Sequence, residues 1–174
     1  FNINSGVATP SEVYGTLTVT GELTLSNGQL DFHENSVVTV NGDINNDYGT
    51  FTTNGTLNSL QDFNNKGAVS LEVGPSGDVN VTGKFINKSS ADLLVDGGSV
   101  YIGQDFDNQG DGYFQIENGG EVIIGGDMLN TGGSAFDITD GSVNIQGSFE
   151  NRGGSDVDVG PSGAMDVDED FLNT

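Results

Sequence analysis

One short frame returns down this chain at almost fixed spacing. Val79-Asn-Val-Thr-Gly-Lys-Phe-Ile-Asn87 comes back as Val100 to Asn108, Val122 to Asn130 and Val143 to Asn151, and in looser form at Val38 to Asn46 and Met165 to Asn173. Followed at a single position, Asn46, Asn65, Asn87, Asn108, Asn130, Asn151 and Asn173 are separated by 19, 22, 21, 22, 21 and 22 residues. A period of this size marks an array of stacked units, none of which buries its apolar face alone.

The frame has a strand's alternation. Two positions before each asparagine stands an apolar residue, in order Ile44, Phe63, Phe85, Phe106, Met128, Phe149 and Phe171. A second apolar pair follows in each repeat, at Leu71/Val73, Leu93/Val95, Phe114/Ile116, Phe136/Ile138 and Val157/Val159. Period-two spacing places these side chains on one inward face. Glycine-rich segments such as Gly74-Pro-Ser-Gly77 and Gly160-Pro-Ser-Gly163 separate the strands, and Pro75 and Pro161 fall in them rather than in strands that need their N–H groups.

The expected fold is therefore all-β: a parallel β-helix, or solenoid, of about seven coils of 21 to 22 residues, each with two short strands and two or three corners. It forms one domain over 1–174, with 17–174 as stacked coils and 1–16 as a half-coil carrying an inserted arm at Val7 to Gly15. Phe63, Phe85, Phe106, Phe149 and Phe171 make an internal spine. The seven asparagines are expected to stack as an amide ladder, each donating to the next, which is a structural role.

Only 33% of residues are hydrophobic and the formal net charge is -22, a composition that without periodicity would favour disorder. Four basic residues, Lys66, Lys84, Lys88 and Arg152, stand against 26 acidic ones, a field that repels nucleic acid and anionic lipid. No apolar run approaches the length of a membrane span, and the absence of Cys excludes disulfides and thiolate metal sites.

Candidate chemistry is sparse. Asp43, Asp62, Asp105, Asp127 and Asp170 each precede a spine residue, so stacking aligns them in a column about 5 Å apart, where Ca²⁺ could relieve their repulsion. No other cofactor is expected, and no catalytic residue is assigned. The single His33 reads as an exposed strand residue, and the basic residues are scattered through different coils. The pairs Asp156/Asp158 and Asp166/Asp168 read as solvated strand faces. Thr16, Thr18, Thr20 and Thr24 form a row confined to the first coils. Asn54, Asn80 and Asn87 begin Asn-x-Ser/Thr triplets, the acceptor pattern for N-glycosylation.

In these Asn- and Gly-rich, Cys-free, acidic coils the chain resembles the parallel β-helices of secreted bacterial adhesins and haemagglutinins, including autotransporter passenger domains, over roughly Leu17 to Asn173. The resemblance implies a right-handed coil, an extracellular or cell-surface setting, and a glycan of the host or cell surface as a possible partner.

Phe1-Asn-Ile-Asn-Ser-Gly6 matches the second half of a coil, as in Phe136 to Gly141, and Phe171 to Thr174 the first half of another. Phe1, Ile3, Phe171 and Asn173 are accordingly the candidates for self-assembly, in which half-coils of two copies complete one turn. A fragment of a longer solenoid would look the same. The expected function is that of a structural extracellular protein, stacking head to tail into a surface filament or forming an adhesin stalk. The alternative is a carbohydrate-active β-helix enzyme or glycan-binding module.

Overall fold

The computed structural model describes residues 10–174 and the backbone of Asn2–Asn4. Among these residues it contains twenty-two β-strands and no helix, in a parallel β-solenoid of about eight turns. Each strand pairs with its counterpart one repeat away and always in parallel, as Phe85↔Phe106, Leu93↔Phe114 and Val100↔Val122 illustrate.

One turn contains three strands where the sequence suggests two. Phe85–Lys88 forms a first face, Asp92–Asp96 a second and Ser99–Ile102 a third, after which Phe106–Gln109 opens the next turn. The bend that divides the repeated frame into two strands lies at Thr82 to Lys84. Val79, Val81, Gly83, Phe85 and Asn87 are all buried, so strict alternation runs straight through the bend and reads as one strand. Near the C-terminus Ala135–Ile145 and Asp156–Val167 do pass from the second face to the third without a break.

The N-terminal region also differs from expectation. Asn2–Asn4 pairs with the first-face strand, Asn2↔Thr24 and Ile3↔Leu25, and not in the register of the second half of a coil. Ser11–Val13 pairs as Ser11↔Leu30 and Val13↔Phe32, so it is the second-face strand of the first turn rather than part of an arm. These two strands raise the count from about seven coils to about eight. Alternation in stretches this short fits either face, and only backbone pairing separates the two. The remainder of the expected arm up to Thr9, and the side chains of Phe1 and Ile3, lie outside the described residues.

Inward side chains form one continuous core along the solenoid axis. Nine of the ten phenylalanines make a ring-to-ring relay through it, with Phe63 stacked on Phe85 (4.8 Å, 10°) and Phe114 on Phe136 (4.6 Å, 4°). Edge contacts carry the relay between faces, as in Phe106 to Phe114 (4.9 Å, 79°) and Phe136 to Phe149 (6.0 Å, 79°). Phe32, Phe51 and Phe171 complete it. Burying each of the eight interior rings contributes about 2 to 3 kcal/mol, with offset and edge contacts adding up to about 1 more, while the terminal Phe171 stays half exposed.

Backbones approach closely at the corner leading to the third face. Ser36, Gly55, Gly77, Gly98, Gly120, Gly141 and Gly163 occupy it in successive turns, with the same separations as the asparagine column. A Cβ on Gly98 would collide with the carbonyl oxygen of Gly74 and lie 2.8 Å from that of Gly77, neither of which is a flexible side chain.

Two outcomes follow for equilibrium denaturation. Gly98→Ala should cost about 2 to 4 kcal/mol, whereas Gly15→Ala, where a Cβ meets nothing within 4 Å, should stay within about 0.5 kcal/mol of the parent. Phe106→Asp, placing an unpaired charge between Phe85 and Phe114, should cost about 4 kcal/mol or more in the same measurement.

Candidate functional site

The polar residues singled out in the sequence fall into vertical columns, and the structure shows what each column bonds. Asn46, Asn65, Asn87, Asn108 and Asn130 are fully buried and Asn151 almost so. Each Nδ2 donates to the Oδ1 one turn on, at 2.8 Å for Asn46 to Asn65 and 2.9 Å for Asn87 to Asn108, through to Asn151 and Asn173 at 2.9 Å. The same nitrogens donate to main-chain carbonyls, Asn65 to Asp92 (2.8 Å), Asn108 to Ala135 (3.0 Å) and Asn130 to Asp156 (3.0 Å). At its start the ladder closes on the backbone, since the Gly49 N–H donates to Asn46 Oδ1 at 3.2 Å, and the position beneath Asn46 is Leu25.

Asn87 therefore has both amide hydrogens engaged inside the core, by Asn108 and by the carbonyls of Ala91 and Tyr113. No glycan can be carried there in the folded chain. Asn80 is half-buried and donates to Asn58 and Asp78, while Asn54 lies at a corner on the second face.

The aspartate column is bonded to the backbone. Asp43, Asp62, Asp105 and Asp127 each accept, through Oδ1, the backbone N–H of the residue one turn on in the same column: Asp62 (3.2 Å), Lys84 (2.8 Å), Asp127 (3.2 Å) and Ser148 (2.8 Å). Such charge-assisted bonds satisfy corner amides that the strand ladders do not reach. Lys84 sits within the column with its ammonium 2.6 Å from Asp105 Oδ2, and that hydrogen bond holds the Asp105 carboxyl below its ordinary range. The pairing in turn raises Lys84. Among the described residues no three His, Cys, Asp or Glu side chains gather where they could hold one metal ion.

The basic residues come from different coils but are not scattered in space. Lys66 pairs with Lys88, Lys88 with Gln109, Gln109 with Thr131 and Thr131 with Arg152, so three of the four share one outward column on the first face. Lys84 stands at the opposite end of the same strand, where Phe85–Lys88 begins. The sequence contains this column in its spacing, one residue after each ladder asparagine.

His33 is a corner residue beyond the end of Leu23–Phe32 and not an exposed strand residue. Its ring lies 4.0 Å from that of Tyr14 at an interplanar angle of 14°. Because Val13 pairs with Phe32 and Phe32 with Thr53, the next residues along, Tyr14, His33 and Asn54, occupy one column. Tyr14 went unnoticed in the sequence because Ser11–Val13 was placed in an insertion, outside the repeat. The Tyr14 hydroxyl donates to Glu12 Oε2 at 2.8 Å, a bond that pushes the phenol above its ordinary range.

Phe171 and Asn173, two of the self-assembly candidates, continue existing columns. The Phe171 ring stacks 5.1 Å from Phe149, and Asn173 takes the last ladder bond. No helix among the described residues is long and apolar enough to cross a membrane. No protein-family model, curated protein or solved structure matches the chain.

Asn108→Asp tests the ladder. A carboxylate there cannot donate to Asn130, and as a buried charge it should lower stability by roughly 3 kcal/mol or more at pH 7. Burial raises the folded-state pKa of the new acid above its unfolded value, so the protonated form is favoured below the unfolded pKa and stability falls as pH rises through the folded one. Melts of the variant against the parent should therefore show a smaller deficit near pH 4 than at pH 7.

Proposed function

We propose that this chain is a structural extracellular element, a stiff acidic solenoid whose coils stack end to end into a surface filament or carry an adhesin as its stalk. The observation that carries the reading is the translational identity of the turns. The ladder of amides, the relay of rings and the parallel strand pairing all repeat in one direction and one register. A coil from another copy in that register would meet the same donors, acceptors and rings as an internal coil does. Such a contact is heterologous and propagates.

The reading assigns no catalysis. It is supported by how the acidic column is used, since the Asp43, Asp62, Asp105 and Asp127 carboxylates are bonded to the amides of the next turn. The secreted, adhesin-like setting rests on the resemblance of coil composition to secreted β-helices. The density of acidic charge adds a physical reason for lateral separation, because neighbouring rods repel at low ionic strength.

Negative-stain microscopy of the purified chain tests the filament. Unbranched fibres of the solenoid's own width, lengthening with protein concentration, are expected. A uniform population of short particles, on the order of 40 Å long for about eight turns at about 4.8 Å each, at every concentration would overturn the polymer. Cleavage of a polysaccharide by the same preparation would overturn the non-enzymatic reading.

A further inference from the structure

The third face differs from the other two in what it turns outward. Its middle outward column runs from Thr18 through Asn58 and Asn80 to Tyr101, Ile123 and Asn144 without a charge. On the second face the same column holds Glu12, Asp31, Glu72, Asp137 and Asp158, and on the first it holds Asp107 and Glu150.

The third face also exposes apolar side chains. Tyr101 and Ile123 stand side by side in adjacent turns, 44% and 41% exposed, and Val37 and the corner residue Leu60 add two more. Val100, Ile102, Val122 and Ile124 fill the core, so strand alternation leaves Tyr101 and Ile123 on the outside. On the first face, by contrast, Ile86 and Leu129 are half-buried and Asp107 separates them. Contiguous exposed apolar surface with charge kept from its centre is the composition of a contact surface.

We propose that the third face is a pairing surface for a second copy of this chain, the two rods lying antiparallel with Tyr101 of each on Ile123 of the other. The two-fold axis crosses the rods between these turns, so the contact is isologous and closes as a pair. Counting turns outward from it, Asn80 meets Asn144, Glu121 meets Ser99, Asp78 meets Ser142 and Asp166 meets Asn58. Each of these carboxylates therefore faces a neutral polar side chain, and Asp168 falls at the rim. A parallel pair would set like turns together and lay Asp166 on Asp166, a costly juxtaposition. With a net charge of -22, two copies can approach closely only where such opposition is avoided.

Six turns overlap in the antiparallel register. At about 4.8 Å per turn and three outward residues across, the contact buries on the order of 1,000 Å² in total, the lower bound for a specific interface. The pair is weak, and it tightens with salt, because screening relieves the repulsion of the acidic surroundings while the contact itself holds no ion pair to lose. The face lies on the side of the solenoid, so pairing does not depend on whether copies stack end to end.

Mass per unit length, read from small-angle X-ray scattering of the whole chain, reports pairing whatever the length of the particle. In about 0.3 M salt it should rise about twofold as protein concentration passes roughly 10 to 100 μM, and in about 0.01 M salt it should keep the single-rod value. Ile123→Glu, at an exposed position, should weaken pairing about tenfold or more, while Tyr48→Glu, at an exposed corner away from the face, should stay within about twofold. The register is read separately. Because the chain has no cysteine, a short bismaleimide should join Asn80→Cys to Asn144→Cys when the two variants are mixed and join neither to itself. Circular dichroism of each variant separates lost pairing from lost fold. The proposal is overturned if mass per length stays single at every salt and protein concentration, the result expected of a face that takes some other partner. It is equally overturned if pairing weakens as salt rises, if folded Ile123→Glu pairs as the parent does, if Tyr48→Glu loses as much, or if either cysteine variant joins to itself as readily as the mixture does.

Discussion

A primary amide sealed in hydrocarbon must satisfy two donors and an acceptor, or cost more than most single contacts return. In this solenoid one arrangement does so: amides stacked at the coil repeat, each giving one hydrogen to the amide ahead and another to a main-chain carbonyl. That requirement fixes register. A one-residue slip would turn the whole asparagine column to solvent and drive Asn64, Ile86 and Asp107 inward in its place. Hydrophobic columns alone specify register less sharply, since valine, leucine and isoleucine exchange places in the core at modest cost. The ladder also has a direction, which the parallel strands share.

The aromatic relay shows how the core keeps constant bulk while its composition varies. Where the first face offers Phe63 or Phe85, the second offers Leu71 or Leu93; where the first offers Met128 or Ile44, the second offers Phe136 or Phe51. One large ring per turn is the rule, with the turn of Phe106 and Phe114 carrying two, and the relay changes face there and again between turns at Phe51 to Phe63 and Phe136 to Phe149. Close packing explains this exchange. A turn with no ring would leave a void, and two rings in every turn would force strain, each costing a few kcal/mol.

Much of this was legible in the sequence because a solenoid converts separation along the chain into neighbourhood in space. The period, the spine of Phe63, Phe85 and Phe106, and the ladder of Asn87 and Asn108 could all be read from spacing. The place of the third corner could not, because Gly83 continues the inward alternation from Val81 to Phe85 and leaves no break in the pattern. The strand Ser11–Val13 was hidden for the opposite reason. With three residues and one neighbouring turn to compare, its match to Leu30–Phe32 does not rise above chance, and with it went the column of Tyr14 and His33. The basic column was present in the spacing but was overlooked, because charges were sorted by coil and not by position within the coil.

The aspartate column carries a further correlation that sequence spacing alone contains but only geometry explains. Gly83, Gly126 and Gly147 each follow, one turn on, an aspartate whose Oδ1 occupies the place a Cβ would need: Asp62, Asp105 and Asp127. Where the residue beneath is Lys84 or Ser148, the corresponding position carries a side chain, Gln104 or Glu169. The carboxylate and the missing Cβ are two halves of one device, in which an oxygen reaches across the corner to an amide only if nothing stands between. Gln61 above Asp43 is the one departure, and it falls in the 19-residue step. Stacked carboxylates thus persist at repeat spacing because each is bonded to a separate backbone dipole, with Lys84 placed among them to neutralise Asp105. The negative charge of this rod is in part structural, and removing it to ease repulsion would unfasten the corners that hold consecutive turns in register.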